Sequence, residues 1–152
     1  MRKYLFLIVF SIFVVGAACI IFVKSHPPLV IIDYKSFDEH EEGSVIEIEN
    51  TGIRELQIQN VVVNGGLSGE SKLMVSRGQT LESAMPSDPN ITYHGIKQIK
   101  LFPSKYIDRK AVGQKPQHYG LKIEVEDIEK VTIHYKYLSM PFSLTAELKK
   151  IE

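Results

Sequence analysis

The sequence predicts an all-β protein, an antiparallel β-sandwich of about seven or eight strands that follows one N-terminal transmembrane helix. Two observations support this prediction. Residues 4–23 form an apolar run without a charged side chain, and a helix of that length covers roughly 30 Å, the thickness of a bilayer's hydrocarbon core. From residue 29 onwards apolar and polar residues alternate repeatedly, which is typical of strands with one buried face.

Charged residues at the two ends of the apolar run predict its orientation. Arg2 and Lys3 precede the run together with the N-terminal amine, whereas Lys24 alone follows it closely. Because positive charge near a membrane helix stays in the cytoplasm, the N-terminus is predicted to be inside. The sequence therefore predicts a single-pass protein of the cell membrane, with residues 25–152 outside the cytoplasm.

Two alternatives to a permanent anchor stay open. Gly16-Ala17-Ala18 are small residues of the kind that a signal peptidase recognises, and Cys19 is a candidate for lipid attachment. However, residues 19–23 continue the apolar run beyond that point, and Gly16 stands where a lipidation motif has a Leu-like residue. We therefore predict that the anchor is retained.

The chain is predicted to have three parts. A membrane anchor covers 1–24, a short spacer with Pro27 and Pro28 covers 25–28, and an extracytoplasmic β-sandwich domain covers 29–152. Two consecutive prolines end a helix and make a short, stiff link. The last part is long enough to form one domain with its own hydrophobic core.

The composition of the outer part narrows the possible partners. The chain has 18 Lys and Arg against 18 Asp and Glu, and residues 1–24 hold three of the basic and none of the acidic residues. Residues 25–152 therefore carry 15 basic and 18 acidic side chains, a formal net charge of −3, so we expect no nucleic acid as a partner. Cys19 is the only cysteine, so the outer domain must be stable without a disulfide.

The first two thirds of the outer part contain irregularly spaced strands, predicted over 29–34, 44–49, 55–63 and 96–102, and 72–75 and 79–81 are candidates for further short strands. The alternation changes phase at Asn60, which indicates a β-bulge or burial on both faces. Asn50-Thr51-Gly52 predicts a turn in which Gly52 is free to take a positive φ. Asn64-Gly65-Gly66 predicts a second turn at the end of its strand.

Three clearly amphipathic strands then follow one another. Their apolar positions are Leu121, Ile123 and Val125; Val131, Ile133, Tyr135 and Tyr137; and Phe142, Leu144, Ala146 and Leu148. Short strands in close succession are typical of an antiparallel sandwich or barrel.

One strand–turn–strand segment resembles a known group of proteins. Ile48-Glu49-Asn50-Thr51-Gly52, followed by Leu56-Gln57-Ile58, is similar to the N-x-G…L-x-I hairpin of bacterial membrane-anchored immunoglobulin-like domains, including adhesion-type and ASH-type domains. The resemblance covers about a dozen residues and implies an immunoglobulin-like sandwich, but it carries no functional residue across. The cysteine pair and core tryptophan of antibody domains are absent from the sequence.

No metal site is predicted from the histidines. The chain has five, His26, His40, His94, His118 and His134, and none is paired with another at H-x-x-x-H spacing. We therefore expect no metal and no cofactor, and we assign no metal-binding or cofactor-binding residue.

Two charged segments are candidate binding regions. Residues 38–42, Asp-Glu-His-Glu-Glu, could supply oxygen ligands to Ca²⁺, but they lack D-x-D-x-D-G spacing, and a solvated loop is favoured. Residues 97–118 could contact an anionic polymer, lipid headgroups or an acidic partner, although a loop kept soluble by its charge is favoured. The basic residues of this segment are Lys97, Lys100, Lys105, Arg109, Lys110 and Lys115.

The sequence has no catalytic signature. It lacks a G-x-S-x-G motif, and Ser68-Gly69-Glu70-Ser71-Lys72 has no S-D-N or K-T-G element beside it. We therefore expect no enzymatic activity and assign no catalytic residue. The leading hypothesis is a non-catalytic binding or scaffolding module of the cell envelope, with an envelope protein or an anionic polymer as partner. An ion- or small-ligand-binding module of a transport or sensing system is the alternative, and a membrane-tethered hydrolase is the third possibility.

Overall fold

The structure, a computed structural model, describes residues 2–36, 43–67, 71–77, 89–104, 117–125 and 128–148. Its elements in chain order are α1 (Arg2–Ser25), β1 (Leu29–Ser36), β2 (Ser44–Asn50), β3 (Leu56–Val63), β4 (Gly66–Leu67), β5 (Lys72–Arg77), β6 (Ile91–Gly95), β7 (Gln117–Ile123), β8 (Lys130–Tyr137) and β9 (Met140–Glu147). The prediction of one apolar N-terminal helix followed by a β-rich body is confirmed.

The described strands form two antiparallel sheets. One has five strands in the order β1-β2-β7-β5-β6, and the other has four in the order β4-β3-β8-β9. The chain crosses from the first sheet to the second between β2 and β3, returns between β4 and β5, and crosses again between β7 and β8. Non-local pairing of this kind places residues that are far apart in sequence at the same end of the body.

A single large cluster of apolar side chains lies between the two sheets. It combines residues from the five-stranded sheet with residues from the four-stranded sheet, among them Ile46, Ile48, Leu73 and Leu121 from the former and Ile58, Val61, Ile133 and Tyr135 from the latter. The alternation read from the sequence accounts for this arrangement, since every second side chain of a strand points to the same face. Along β8, for example, Val131, Ile133, Tyr135 and Tyr137 are buried.

Two local predictions about β3 are confirmed. The pairing of β3 with β8 shifts register between Ile58 and Asn60, as expected for a β-bulge at the phase change. The turn after β3 has Asn64 at φ 49° and Gly65 at φ 81°, the left-handed pair that a tight two-residue hairpin requires. The side chain of Asn64 also accepts hydrogen bonds from the backbone N–H groups of Glu129 and Lys130, both at 3.0 Å.

The strand predicted over 96–102 is wrong. The strand in this region is β6, Ile91–Gly95, and a turn follows it in which the Gln98 side chain accepts a hydrogen bond from the Gly95 N–H at 2.9 Å. Only Leu101 of the predicted strand pairs, through two backbone hydrogen bonds to Leu56 of 2.8 and 3.0 Å. The apolar alternation of Ile99 and Leu101 therefore reflects packing of a loop on the core. The predicted strand over 79–81 lies outside the described residues.

Two further predictions need correction. β7 runs Gln117–Ile123, earlier in the chain than predicted, so Val125 follows the strand and is 38% exposed. Gly52 lacks a positive φ, and its requirement is space: a Cβ there would lie 2.8 Å from both the Pro28 Cβ and the Tyr137 hydroxyl oxygen.

Candidate functional site

The helix joins the body through a short, fixed link. Only three residues separate the end of α1 at Ser25 from the start of β1 at Leu29. Pro28 is buried, and its carbonyl oxygen accepts hydrogen bonds from the backbone N–H and the hydroxyl of Thr51, at 2.7 and 2.9 Å. Val23, in the last turn of the helix, packs against the core cluster. The helix and the link therefore contact the body directly.

The loop next to this link, Thr51–Glu55, is held by the side chains of Asn50 and Tyr137. The Asn50 amide nitrogen donates to the carbonyl oxygens of Arg54 and Leu101 at 2.8 and 2.9 Å. Its amide oxygen accepts from the Gly52 N–H at 3.0 Å, and the Tyr137 hydroxyl accepts from the Ile53 N–H at 3.1 Å. These bonds fix the positions of Ile53 and Arg54 relative to the end of the helix.

The turn between β8 and β9 lies at the same end of the body. Tyr137 pairs with Met140 across it and with Leu56 of β3 on the other side. Leu138 and Ser139, the two turn residues, have φ values of 50° and 64°. Such a turn favours Asn and Gly, and a leucine at positive φ costs about 1 kcal/mol. We call Thr51–Glu55, Leu101–Phe102 and Leu138–Ser139 together the anchor-proximal end.

Apolar side chains are exposed at the anchor-proximal end. Ile53 is 66% exposed, Leu138 is 44% exposed and Phe102 is 40% exposed. Exposed apolar residues that belong to different elements and gather at one end indicate a contact surface more strongly than the same residues scattered singly. The hydrogen bonds of the Ile53 and Phe102 N–H groups to the Tyr137 and Tyr119 hydroxyls hold two of the three in place.

A basic cleft lies beside these apolar side chains. It has a volume of about 340 Å³ and is lined by Arg54, Glu55, Gln57, Lys100, Lys136 and Leu138, among others. Lys100 forms a salt bridge with Glu55, and among the described residues neither Arg54 nor Lys136 has an ion-pair partner. Three cations and one carboxylate therefore give the cleft a positive charge, which suits an anionic ligand.

A second cluster of titratable residues lies on the outer face of the five-stranded sheet. Glu47 is almost fully buried, and its Oε1 lies 3.7 Å from Nδ1 of His118. The buried apolar cluster of Val45, Met74 and Ile91 shares this face. One carboxylate and one imidazole fall short of the three or four protein ligands that a zinc site needs.

The structure does not gather the histidines singled out in the sequence. His26 stacks on Phe22 at the end of the helix, with a ring-centroid distance of 4.5 Å. His94 lies on β6, His118 on β7 and His134 on the exposed face of β8, whereas His40 lies outside the described residues. Within the part of the chain that the structure describes, no group of three His, Cys, Asp or Glu side chains could hold a metal ion.

The two charged segments are described only in part. The acidic segment 38–42 lies outside the described residues, as do Lys105, Arg109, Lys110 and Lys115 of the basic segment. Lys97 and Lys100 are described, and Lys97 supplies a carbonyl oxygen that accepts a hydrogen bond from Gln57 at 2.8 Å. The basic cleft combines Lys100 with Arg54 and Lys136, two residues that no sequence motif marks. Their separation along the chain gave no pattern that could have linked them.

The structure combines one long apolar N-terminal helix with an antiparallel β body. α1 contains the stretch Leu7–Ser25, with a mean hydropathy of 2.7 and no buried residue, so it is long and apolar enough to cross a membrane. The body that follows it is an antiparallel two-sheet β structure. Comparison of the chain with models of protein families, with curated proteins and with solved structures finds no significant match.

Proposed function

We propose that this is a single-pass membrane protein whose N-terminus is cytoplasmic and whose β body is displayed outside the cytoplasm. In this proposal the body is a non-catalytic binding or scaffolding module of the cell envelope. The observation that carries the proposal is the direct, three-residue connection between a helix of bilayer length and a body that contains no cysteine. Such a connection keeps the body at the membrane surface.

We further propose that the body is an immunoglobulin-like sandwich. The order β1-β2-β7-β5 is the order A-B-E-D of an immunoglobulin sheet, and β4-β3-β8-β9 corresponds to C′-C-F-G. In this assignment β6 is an additional edge strand beyond β5. Immunoglobulin-like sandwiches commonly serve as display and adhesion modules, which fits the proposed role by analogy of fold.

The chemistry of the basic cleft suits the proposed binding role. The basic cleft is lined by Arg, Lys, Gln and Glu side chains and contains no paired nucleophile and base among the described residues. Cations and amides at an open surface bind anions through charge and hydrogen bonds. A partner with a phosphate or carboxylate group suits this chemistry.

Site-specific photocrosslinking in intact cells tests the binding role. A photoreactive amino acid is placed at one exposed position at a time, and suitable positions are Lys97 in the turn after β6, Glu129 just before β8 and His134 on the exposed face of β8. The proposal predicts a discrete crosslinked species from positions on one surface and none from the others. If every surface gives the same background, the body has no stable protein partner and the scaffolding role fails.

An ion- or small-ligand-binding module is the second candidate, and the Glu47–His118 pair favours it. A carboxylate beside an imidazole is half of a transition-metal ligand set. Titration of the detergent-solubilised chain with Zn²⁺ by calorimetry tests this role, with Glu47→Gln as the matched control. Stoichiometric heat that disappears in the variant would favour it, and heat that is equal in both chains would remove it.

A further inference from the structure

We propose that the anchor-proximal end is a lipid-binding surface that docks on the bilayer in which the helix is anchored. In this proposal Arg54 and Lys136, with Lys100, bind the phosphate groups of anionic phospholipids, while Ile53 and Leu138 enter the interface. The proposal rests on the membrane anchoring proposed above, and it adds a second membrane contact that is separate from the helix.

The length of the link places this end at the headgroup layer. At roughly 3.5 Å per residue, the Cα atoms of Ser25 and Leu29 lie no more than roughly 14 Å apart. The loop that carries Ile53 and Arg54 contacts the link itself, because Thr51 donates two hydrogen bonds to the Pro28 carbonyl oxygen. The headgroup layer of a bilayer extends roughly 5–7 Å beyond the hydrocarbon core on each side. The loop therefore lies within reach of lipid phosphates once Val23 is at the hydrocarbon boundary.

The chemistry of the surface matches an anionic bilayer interface. Exposed Ile53 and Leu138 supply apolar side chains, and Arg54, Lys100 and Lys136 supply cations around a cleft of about 340 Å³. Membrane-surface segments combine these two features, since apolar side chains enter the acyl boundary while cations contact anionic headgroups. The salt bridge between Lys100 and Glu55 balances one positive charge against the carboxylate of this cleft, so Arg54 and Lys136 supply its net positive charge.

The geometry of the β8–β9 turn adds an independent argument. Leu138 is an exposed apolar residue at positive φ, in a turn where Asn-Gly would be less strained and more soluble. Strained backbone positions cluster at ligand-contacting sites, where the function of the side chain outweighs its cost in stability. A leucine that enters the bilayer interface gives this position such a function.

The space beneath the anchor-proximal end favours lipid over a protein partner. A folded domain of about 100 residues has a radius of gyration of roughly 13 Å, so its diameter exceeds the reach of the link. A protein partner would therefore need to displace the body from the membrane or bind on another surface. Lipid headgroups already occupy this space.

The experiment measures the depth of a fluorescent probe on the full-length chain in vesicles. In a Cys19→Ser background, Ser139→Cys places the probe beside Leu138, and Glu147→Cys places it at the opposite end of β9. The two positions lie roughly 26 Å apart along the strand, at about 3.3 Å per residue. Vesicles contain phosphatidylcholine alone or with about one third phosphatidylglycerol, and both carry a lipid that is spin-labelled at its headgroup.

The proposal predicts strong quenching at position 139 and weak quenching at position 147 in the anionic vesicles, with a smaller difference in neutral vesicles. Each cation near an anionic surface strengthens association about fivefold. Arg54→Gln combined with Lys136→Gln should therefore lower the equilibrium constant for docking roughly 25-fold. Lys130→Gln is the matched control, because Lys130 lies at the other end of the same strand as Lys136 and should leave docking unchanged.

The possible outcomes separate this inference from the proposed anchoring. Equal, weak quenching at 139 and 147 in anionic vesicles overturns the lipid-binding surface, while carbonate-resistant insertion of the same chain leaves the anchor intact. Chain that carbonate extracts from the vesicles overturns the anchor itself. Inorganic phosphate added to anionic vesicles at constant ionic strength should leave quenching at 139 unchanged, and a fall to the level seen at 147 would show that free anion, instead of lipid, fills the cleft and would refute the proposal.

Discussion

At the residue scale, Gly52 lies where the link from the helix meets the β body. Its backbone lies between Pro28 of the link and the Tyr137 hydroxyl, and its N–H donates to the Asn50 side chain at 3.0 Å. The absence of a Cβ is what lets these three groups meet. The sequence indicated a glycine turn at this point, but only the three-dimensional contacts supply the reason for the glycine.

A Gly52→Ala substitution should destabilise the body by about 1–3 kcal/mol, the usual cost of forcing extra volume into a packed site. The new Cβ would lie 2.8 Å from two neighbouring atoms, so the link or Tyr137 must move. Gly66→Ala is the matched control, because the nearest atom to its Cβ would be the Val63 carbonyl oxygen at an ordinary 3.6 Å. Urea unfolding of the detergent-solubilised chain measures both, and equal stability of the two variants would refute this role of Gly52.

Ionisation of the buried Tyr135 hydroxyl should lower the stability of the fold at high pH. Burial raises the pKa of its hydroxyl, and the nearby backbone of Leu29, which is outside hydrogen-bond geometry, offsets part of the rise. A raised folded-state pKa stabilises the fold below the unfolded-state value of about 10, and this contribution is lost as the pH rises through the folded-state value. Stability should therefore fall above pH of about 10, and Tyr135→Phe should make the fall shallower.

The same substitution should be neutral or stabilising at pH 7, because it removes a buried hydroxyl that has no hydrogen-bond partner among the described residues. Tyr137→Phe is the control, since it removes the acceptor of the Ile53 N–H and should cost about 1 kcal/mol. Urea unfolding at a series of pH values measures these effects. An identical slope above pH of about 10 for the native chain and Tyr135→Phe would show that this hydroxyl has no part in the pH dependence.

At the element scale, the β8–β9 hairpin combines strong strands with an unfavourable turn. Eight register pairs join the two strands, and stacked Tyr135 and Phe142 rings, 5.6 Å apart, reinforce the pairing. This pairing keeps Leu138 and Ser139 at positive φ. The alternation of both strands was readable from the sequence, because each has one buried and one exposed face. The exposure of Leu138 at the turn was not readable from the sequence, because the neighbouring residues do not show which side chains surround it in the fold.

Replacement of Leu138-Ser139 by Asn-Gly should have opposite effects on stability and on lipid docking. The new turn suits the left-handed backbone, so the free energy of unfolding should rise by about 1 kcal/mol. Docking of the anchor-proximal end on anionic vesicles should weaken, because an apolar side chain is lost from the interface. Urea unfolding and headgroup quenching, with the probe at position 102 in both chains, measure the two effects. A turn variant that gains stability and docks unchanged would show that Leu138 has no role at the membrane.

At the scale of the whole molecule, the sequence predicted the helix and the strands better than the contacts between them. The apolar helix, the antiparallel β body and the bulge at Asn60 were all readable, because each follows from local periodicity. The anchor-proximal end was not, because the topology brings together Arg54, Lys100 and Lys136 from three separate stretches of the chain. The prediction of a strand over 96–102 was wrong because apolar alternation does not distinguish a strand from a loop that packs on the core.

The single cysteine of the chain allows a direct test of membrane topology. Cys19 lies in the helix, so a Cys19→Ser chain with Glu147→Cys carries one thiol, at the end of β9. Intact cells are treated with a membrane-impermeant maleimide, and permeabilised cells serve as the control for reactivity. The proposed topology predicts full labelling before permeabilisation. Labelling that occurs only after permeabilisation would place the body in the cytoplasm and contradict this topology.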